Sequence, residues 1–184
     1  MGILLAFAPF IAFALVDRLI GSTQGLIAGA ATSAILLLRD WLGRQGKPKI
    51  LEIGTTILFG ALALYSVLGG PAWSIMDVRL RVDVGLLLIV LSTLFVGKPF
   101  TLQYAREQVP QHLWNTPRFI RSNYVITGVW SAGFLILVLA DLILIYRPDL
   151  PPRIGILATV LALIGAFKFT QWYPEKDARL NASS

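Results

Sequence analysis

The amino-acid sequence predicts an all-α protein, a polytopic bundle of transmembrane helices. Of its 184 residues, 56% are hydrophobic and only 14% are charged, whereas an ordinary soluble domain carries about 25% charged residues. The apolar residues fall into blocks long enough to cross a hydrocarbon core of about 30 Å, which takes roughly 20 helical residues. The chain is therefore predicted to lie in a lipid bilayer.

Six apolar blocks are each bounded by Gly, Pro or charged residues, as expected for membrane spans. The predicted spans are Ile3–Ile20, Gly25–Leu42, Ile50–Leu68, Val82–Gly97, Tyr124–Tyr146 and Ile154–Tyr173. The fourth span is short unless it begins near Ser74, with four charged residues in its first turns at the membrane surface. Several Trp and Tyr residues lie near the ends of these blocks, where such side chains prefer the headgroup layer. We expect a single transmembrane bundle over residues 1–173, followed by a short cytoplasmic tail, 174–184, that is disordered.

The distribution of basic residues predicts the orientation of the bundle. Eleven of the 16 Lys and Arg residues lie in the Arg39–Lys49 segment, the Lys98–Asn123 segment or the C-terminal end, and five lie on the opposite side. Basic loops stay in the cytoplasm. The sequence thus predicts that both termini lie in the cytoplasm.

Small residues spaced four apart mark helix faces that allow close packing in lipid. Three such seams are predicted: Gly25, Gly29 and Ser33 in the second span, Ala158, Ala162 and Ala166 in the sixth, and a shorter one of Gly128 and Ala132 in the fifth. The simpler interpretation is packing within the bundle. A homo-oligomer stays open as the alternative.

Several kinds of chemistry are not expected. The chain has no Cys and a single His, His112, in a predicted loop, which leaves too few ligands for haem or zinc. No Ser or Thr of a span has an adjacent base for nucleophilic catalysis. The basic residues flank the spans, which indicates orientation and contact with anionic lipid rather than nucleic acid. We expect no cofactor, no metal and no enzymatic activity.

Charged residues near the predicted periplasmic ends of the spans are the first candidate site. Ionisable groups at membrane depth are costly and by default suggest function. The residues of this predicted polar mouth are Asp17, Asp83, Asp141, Arg79 and Arg81. The alternative is structural: Asp77 and Arg81, like Arg79 and Asp83, lie four residues apart on one helix, so each pair could satisfy itself at the surface.

The loop between the fourth and fifth spans contains the second candidate. From Pro99 to Val109, apolar and polar residues alternate at the spacing of a short interfacial helix. This predicted interaction helix carries Phe100, Tyr104, Arg106 and Glu107. Its apolar side could rest on lipid or on a partner protein.

Two stretches of the chain resemble a known family. They are Phe7–Phe13, which reads Phe-Ala-Pro-Phe-Ile-Ala-Phe, and Trp130–Phe134 followed by Asp141. Both resemble stretches of the bacterial inner-membrane septation protein A family, small multi-span proteins linked to division and envelope synthesis. Ala6 stands where an acidic residue is usual, and Arg79–Asp83 replaces the Lys-Pro-Thr entry to the fourth span. The resemblance is that of a distant relative or a sister family.

Two functions are therefore predicted. The first is a non-enzymatic inner-membrane protein that supports cell division or envelope synthesis by contacting other inner-membrane proteins. It follows from the resemblance and from the missing catalytic groups. The alternative is a small transporter or ion-conducting bundle with a charged periplasmic mouth.

Overall fold

The computed structural model describes residues 5–43, 48–69 and 73–182, and the regular elements there are all helices. The helices are α1 (Ala8–Leu19), α2 (Ser22–Leu42), α3 (Ile50–Val67), α4 (Ile75–Phe95), α5 (Phe100–Arg106), the short 3-10 helix η1 (Gln111–Leu113), α6 (Pro117–Tyr146) and α7 (Arg153–Ala182). No strand occurs among these residues. The predicted all-α class is confirmed.

Four helices are long and apolar enough to cross a membrane, namely α2, α3, α6 and α7 as far as Lys176. Helix α4 meets the same test only together with α5, to which it is joined by a 75° bend. Alone it carries too many charges in its first three turns. The described residues therefore form a multi-pass membrane protein with four or five candidate spans, and the predicted number of six is not confirmed.

Helix α1 is shorter than the first predicted span. It has 12 residues, about 18 Å at 1.5 Å per residue, which is too short for the hydrocarbon core. Phe7 is the N-cap residue of α1, and Pro9 lies in the first turn. Since proline is tolerated in the first turn of a helix but not in its interior, Pro9 favours a helix start at this point. The predicted span Ile3–Ile20 starts within residues 1–4, outside the described residues.

Polar residues ahead of the apolar blocks cap the starts of two helices. The Ser74 hydroxyl accepts a hydrogen bond from the Asp77 amide at 3.2 Å, and the Asp77 carboxylate accepts one from the Ser74 amide at 3.3 Å. This reciprocal capping starts α4 at Ile75 instead of Val82. The Thr116 hydroxyl caps α6 by accepting a hydrogen bond from the Phe119 amide at 3.4 Å, ahead of Pro117.

The end of α4 is set by a glycine in the left-handed region. Gly97 has a φ of +74°, its amide bonds to the Leu94 carbonyl at 3.0 Å, and the Lys98 amide bonds to the Thr93 carbonyl at 2.8 Å. These two bonds are those of a Schellman motif. Pro99 then prevents continuation of the helix, so the chain turns and starts α5.

The C-terminal tail differs from its prediction. The backbone of α7 continues through Pro174 as a helix to Ala182, where disorder was predicted from residue 174. A proline inside a helix removes one backbone hydrogen bond. The residues after it, including Glu175 and Lys176, favour helix by intrinsic propensity.

The chain divides into two compact units, Met1–Ile89 and Val90–Ser184. In the first unit, α1 packs on α2 and α2 packs on α3. Its core includes Phe13, Leu26 and Phe59. In the second unit, α6 packs on both α5 and α7, and Trp130 and Phe134 are fully buried.

The predicted seam on α2 is used inside the chain. A Cβ at Gly25 would lie within 3.0 Å of the Asp17 backbone, and one at Gly29 would lie 2.6 Å from the ring of Phe59. Glycine is therefore needed at both positions for α1 and α3 to approach α2. This confirms the interpretation of the α2 seam as intramolecular packing.

Candidate functional site

The five residues of the predicted polar mouth are divided between the two units. Asp17, Arg79, Arg81 and Asp83 belong to the first unit, and Asp141 belongs to the second. Arg79 and Asp83 are half-buried on α4, and each interacts with other residues. Convergence of all five residues into one mouth stays a prediction.

Asp17 is held at the turn between α1 and α2. Its carboxylate accepts a hydrogen bond of 2.6 Å from the Ser22 hydroxyl, and the residue is only 6% exposed. Its backbone contacts Gly25 on α2. The carboxylate is therefore buried in protein and contributes to the closure of the helical hairpin.

Arg81 belongs to a chain of contacts at the start of α4. Its guanidinium lies 4.4 Å from the centre of the Trp73 ring, and Trp73 stacks on Tyr65 with ring centres 5.0 Å apart. The guanidinium also lies 3.9 Å from the Asp77 carboxylate. Asp77 was not among the predicted mouth residues, although its spacing of four from Arg81 indicated the pair.

Asp141 is the most deeply buried acidic residue among those described. It lies on α6, within a candidate span, and is 1% exposed. It interacts with other residues of the protein. Because a carboxylate is expensive to remove from water, its position inside the second unit marks it as a candidate functional group.

A buried charged triad, which was not predicted, joins the end of α2 to the start of α3. It consists of Asp40, Lys49 and Glu52. The Lys49 ammonium forms an ion pair with Asp40 and lies 3.6 Å from Glu52 Oε1. Arg39, whose side chain is half exposed, donates two hydrogen bonds to Asp40 from outside, at 2.9 and 2.6 Å.

Glu52 is the innermost member of the charged triad. It is 3% exposed, and Lys49 is 7% exposed. Glu52 Oε2 is buried and accepts no hydrogen bond from the described residues. A buried carboxylate oxygen that accepts no hydrogen bond is unusual in a native protein and calls for a functional or chemical explanation.

The sequence contained a signal for this triad. Glu52 follows Lys49 by three residues in the first turn of a predicted span, a spacing that brings two side chains together on a helix. The Arg39–Lys49 segment was interpreted only through its basic residues, as evidence of orientation. Asp40 could not be added without the structure, because the turn between α2 and α3 brings it to Lys49.

The predicted interaction helix is real but packs against the protein itself. Helix α5 covers Phe100–Arg106, shorter than the predicted Pro99–Val109. Phe100 is 0% exposed and Tyr104 is 2% exposed, and the Phe100 ring meets Trp130 edge to face at 6.4 Å. The expectation that these two aromatic residues contact lipid or a partner is therefore wrong, because α6 covers them.

Hydroxyl groups fix α5 to α6. The Thr101 hydroxyl lies 2.8 Å from that of Thr127 and donates to the Asn123 carbonyl at 3.0 Å. The Thr93 hydroxyl accepts from the Phe100 amide at 3.2 Å, which ties the start of α5 to the end of α4. These buried bonds satisfy the polar groups of the bend between the two helices.

The other two residues of the predicted interaction helix lie nearer the surface. Arg106 is half-buried, with its guanidinium 5.5 Å from the centre of the Trp114 ring. Glu107 follows the last residue of α5 and is exposed. Arg106 and Glu107 are therefore in contact with the surroundings of the protein, whereas Phe100 and Tyr104 are buried inside it.

An exposed ion pair lies in the turn between α6 and α7. Arg147 donates two hydrogen bonds of 3.0 Å to the carboxylate of Asp149. These bonds lower the pKa of the Asp149 carboxyl below its ordinary value and raise the pKa of Arg147. The pair is fully open to water, so its contribution to stability is small.

No group of three or more His, Asp or Glu side chains within the described ranges is arranged to hold a metal ion. Comparisons with protein-family models, curated proteins and solved structures gave no match. The resemblance to the septation protein A family stays a prediction, and the functional argument depends on the buried charges.

Proposed function

We propose that this protein is a small transporter that carries protons or small cations through buried carboxylates. One observation carries the proposal: four ionisable side chains are at least nine-tenths buried in a membrane protein. They are Asp17, Lys49, Glu52 and Asp141, with exposed fractions of 6%, 7%, 3% and 1%.

Stability does not explain such burial. A buried ion pair repays the desolvation of its charges only with excellent geometry, and apolar residues of similar size often stabilise a protein as well or better. In membrane helices, ionisable residues that face protein commonly mark proton or ion pathways. Retention of four of them favours a functional role.

The charged triad has the composition of a proton-binding group. Two carboxylates, Asp40 and Glu52, share the ammonium of Lys49. A proton on Glu52 would neutralise one buried charge, and its loss would restore the pairing with Lys49. The titration of such a group belongs to the interacting side chains together rather than to one of them.

The bend between α4 and α5 is a second feature in favour of transport. Non-helical backbone at membrane depth is tolerated where it is buried in protein or lines a cavity, and interrupted helices form ion and substrate sites in transporters. The bend contains Gly97 and Pro99, and the hydroxyl of Thr93 supports it.

Flux measurements on purified protein test the proposal. The protein is reconstituted into liposomes that contain a pH-sensitive dye, and proton, sodium and potassium gradients are applied in turn. Glu52→Gln and Asp141→Asn remove a titrating charge while keeping the shape of the side chain. Asp149→Asn is the matched control, because Asp149 is exposed.

We expect flux with the unchanged protein and with Asp149→Asn, and its loss with Glu52→Gln or Asp141→Asn at equal folded yield. Liposomes that show no flux under any gradient would overturn the proposal. Equal flux in all variants would remove Glu52 and Asp141 from the pathway.

The second candidate is the envelope or division function that the resemblance implies. The favouring observation is α7, which has the fewest buried residues of the candidate spans and exposes Leu157 and Leu161. An apolar helix face of this kind contacts lipid or another membrane helix. A photo-crosslinker at Leu161, compared with one at the buried Phe134, tests this candidate. Capture of the same division or envelope protein at Leu161 alone would support it, and lipid adducts alone would contradict it.

A further inference from the structure

An open groove runs along the outside of the hairpin formed by α3 and α4. Its volume is about 520 Å³. Leu62 of α3 lines one side, and Leu80, Val84 and Leu88 of α4 line the other. Asp77 and Arg81 lie at the end of the groove near the start of α4.

The apolar part of the groove suits one extended hydrocarbon chain. Leu80, Val84 and Leu88 are spaced four apart, so they follow one face of α4 over roughly 12 Å. Leu88 is largely exposed. Because the hairpin belongs to a membrane protein, an acyl chain of the bilayer is the apolar group available to fill the groove.

The charged end of the groove presents a cation beside an anion. The Arg81 and Asp77 side chains are 41% and 42% exposed and lie 3.9 Å apart. Each is held from behind, Arg81 by the ring of Trp73 at 4.4 Å and Asp77 by the hydroxyl of Ser74 at 2.7 Å. The Arg81 guanidinium also donates a hydrogen bond to the Asp77 carbonyl at 2.7 Å.

The pair of Tyr65 and Trp73 indicates how deep in the bilayer the charged end of the groove lies. Tyr65 and Trp73 stack beside the guanidinium of Arg81, and such rings favour the headgroup layer of a bilayer. The charged end of the groove is thus expected at the level of lipid headgroups. The apolar part then extends toward the hydrocarbon core.

We propose that this groove binds one phosphatidylethanolamine-type lipid, with its phosphate on Arg81, its ammonium on Asp77 and one acyl chain along the groove. A guanidinium is well suited to bind a phosphate. An ammonium donates hydrogen bonds to a carboxylate. An anionic headgroup without an ammonium would meet Arg81 but be repelled by Asp77. A choline headgroup has no N–H to donate.

Binding of the lipid headgroup would break only a weak interaction of the protein, the ion pair between Arg81 and Asp77. The Arg81–Asp77 pair is exposed, and exposed ion pairs contribute little to stability. Hydrogen bonds from Arg81 to the lipid phosphate and from the lipid ammonium to Asp77 can therefore replace this ion pair. Neither Arg81 nor Asp77 is buried, so their substitution should leave the fold intact.

Native mass spectrometry of the detergent-purified protein tests the inference. Phosphatidylethanolamine, phosphatidylglycerol and phosphatidylcholine are added in turn, and the bound fraction of each lipid is measured. Arg81→Gln and Asp77→Asn alter the charged end, and Val84→Trp fills the groove while leaving both charges. Arg147→Gln and Asp149→Asn are matched controls, because that pair is also exposed but lines no part of this groove.

We expect the unchanged protein to retain phosphatidylethanolamine at least about fivefold more tightly than the other two lipids, a preference that corresponds to one or two weak polar contacts. Arg81→Gln and Val84→Trp should each lose that binding. Asp77→Asn should bind phosphatidylethanolamine and phosphatidylglycerol equally, and the controls should behave like the unchanged protein. Equal binding of the three lipids to the unchanged protein would overturn the inference. Preference for phosphatidylethanolamine that survives Asp77→Asn or Val84→Trp would also overturn it.

Discussion

The contact between α2 and α3 predicts the effect of adding one methyl group at Gly29. A Cβ at this position would lie 2.6 Å from Cδ1 and 2.7 Å from Cε1 of Phe59, well inside the 3.5–4.0 Å of an ordinary carbon contact. Phe59 cannot move aside easily, because it is fully buried and packs against Phe10 and Phe13 with ring centres 5.1 and 5.7 Å away. The helices must separate locally instead.

The magnitude follows from two opposing terms. Overpacking of a well-packed core costs about 1–3 kcal/mol, and replacement of glycine by alanine inside a helix contributes about 1 kcal/mol in the opposite direction. Gly29→Ala should therefore lower the free energy of unfolding by up to about 2 kcal/mol. Gly60, on α3, has no atom within 4 Å of an added Cβ. Gly60→Ala should thus be neutral or stabilising by up to about 1 kcal/mol.

The two variants form a matched pair for one assay. Reversible unfolding in mixed micelles of mild detergent and dodecyl sulphate, followed by circular dichroism, gives the free energy of unfolding of each. We expect Gly29→Ala to be less stable than Gly60→Ala by about 1–3 kcal/mol. A Gly29→Ala protein as stable as Gly60→Ala would refute the packing of α2 on Phe59.

Three further predictions test other parts of the structure. Since the chain has no native Cys, single cysteines report topology: Ser74→Cys should react with an impermeant thiol reagent from outside the cell, whereas Gln111→Cys should react only after lysis. Outside labelling at Gln111 would reverse the predicted orientation. Phe100→Ala should destabilise the protein by about 3–5 kcal/mol because the ring is buried. Phe95 is 88% exposed, so Phe95→Ala is the control and should change the melting temperature little. Equal shifts of the melting temperature in the two variants would place α5 outside the core. The Asp149 carboxyl should titrate below its ordinary pKa in carbon-detected NMR because of its arginine partner. Its small contribution to stability is then complete at neutral pH and is lost as the pH falls through the lowered pKa. An ordinary pKa would show that the hydrogen bonds do not persist in solution.

The sequence was sufficient where hydrophobicity and spacing determine structure directly. Apolar blocks predicted α2, α3, α6 and α7, and the four-residue spacing of Gly25, Gly29 and Ser33 predicted a packing face. The start of α6 at Thr116 was missed because its cap lies outside the apolar block and hydropathy does not detect capping. The start of α4 near Ser74 was left as one of two alternatives for the same reason.

The partner of an amphipathic surface could not be predicted from the same information. The pattern from Phe100 to Tyr104 indicates one apolar side on α5, but lipid, another protein and α6 all satisfy such a side equally. The bend at Gly97 decides among them, because it brings α5 back onto α6. The same reason applies to Asp40, whose place beside Lys49 depends on the turn between α2 and α3.

The positions of the buried charges in the first unit constrain how an ion could cross it. Asp17 packs beside Gly25 near the start of α2, and Asp40 lies in the last turn of that helix. At 1.5 Å per residue the two are separated by roughly 22 Å along the helix, most of the thickness of the hydrocarbon core. Between them, the buried face of α2 offers one hydroxyl, that of Ser33. That hydroxyl already donates to the backbone at 2.9 Å. The contact between Gly29 and Phe59 occupies the middle of this face. Under the proposed transport function, an ion that follows this face of α2 has to pass the contact between Gly29 and Phe59, which opens only when α2 and α3 separate. Flux along this route that depends on Glu52 should then be a slow, gated process rather than an open channel current.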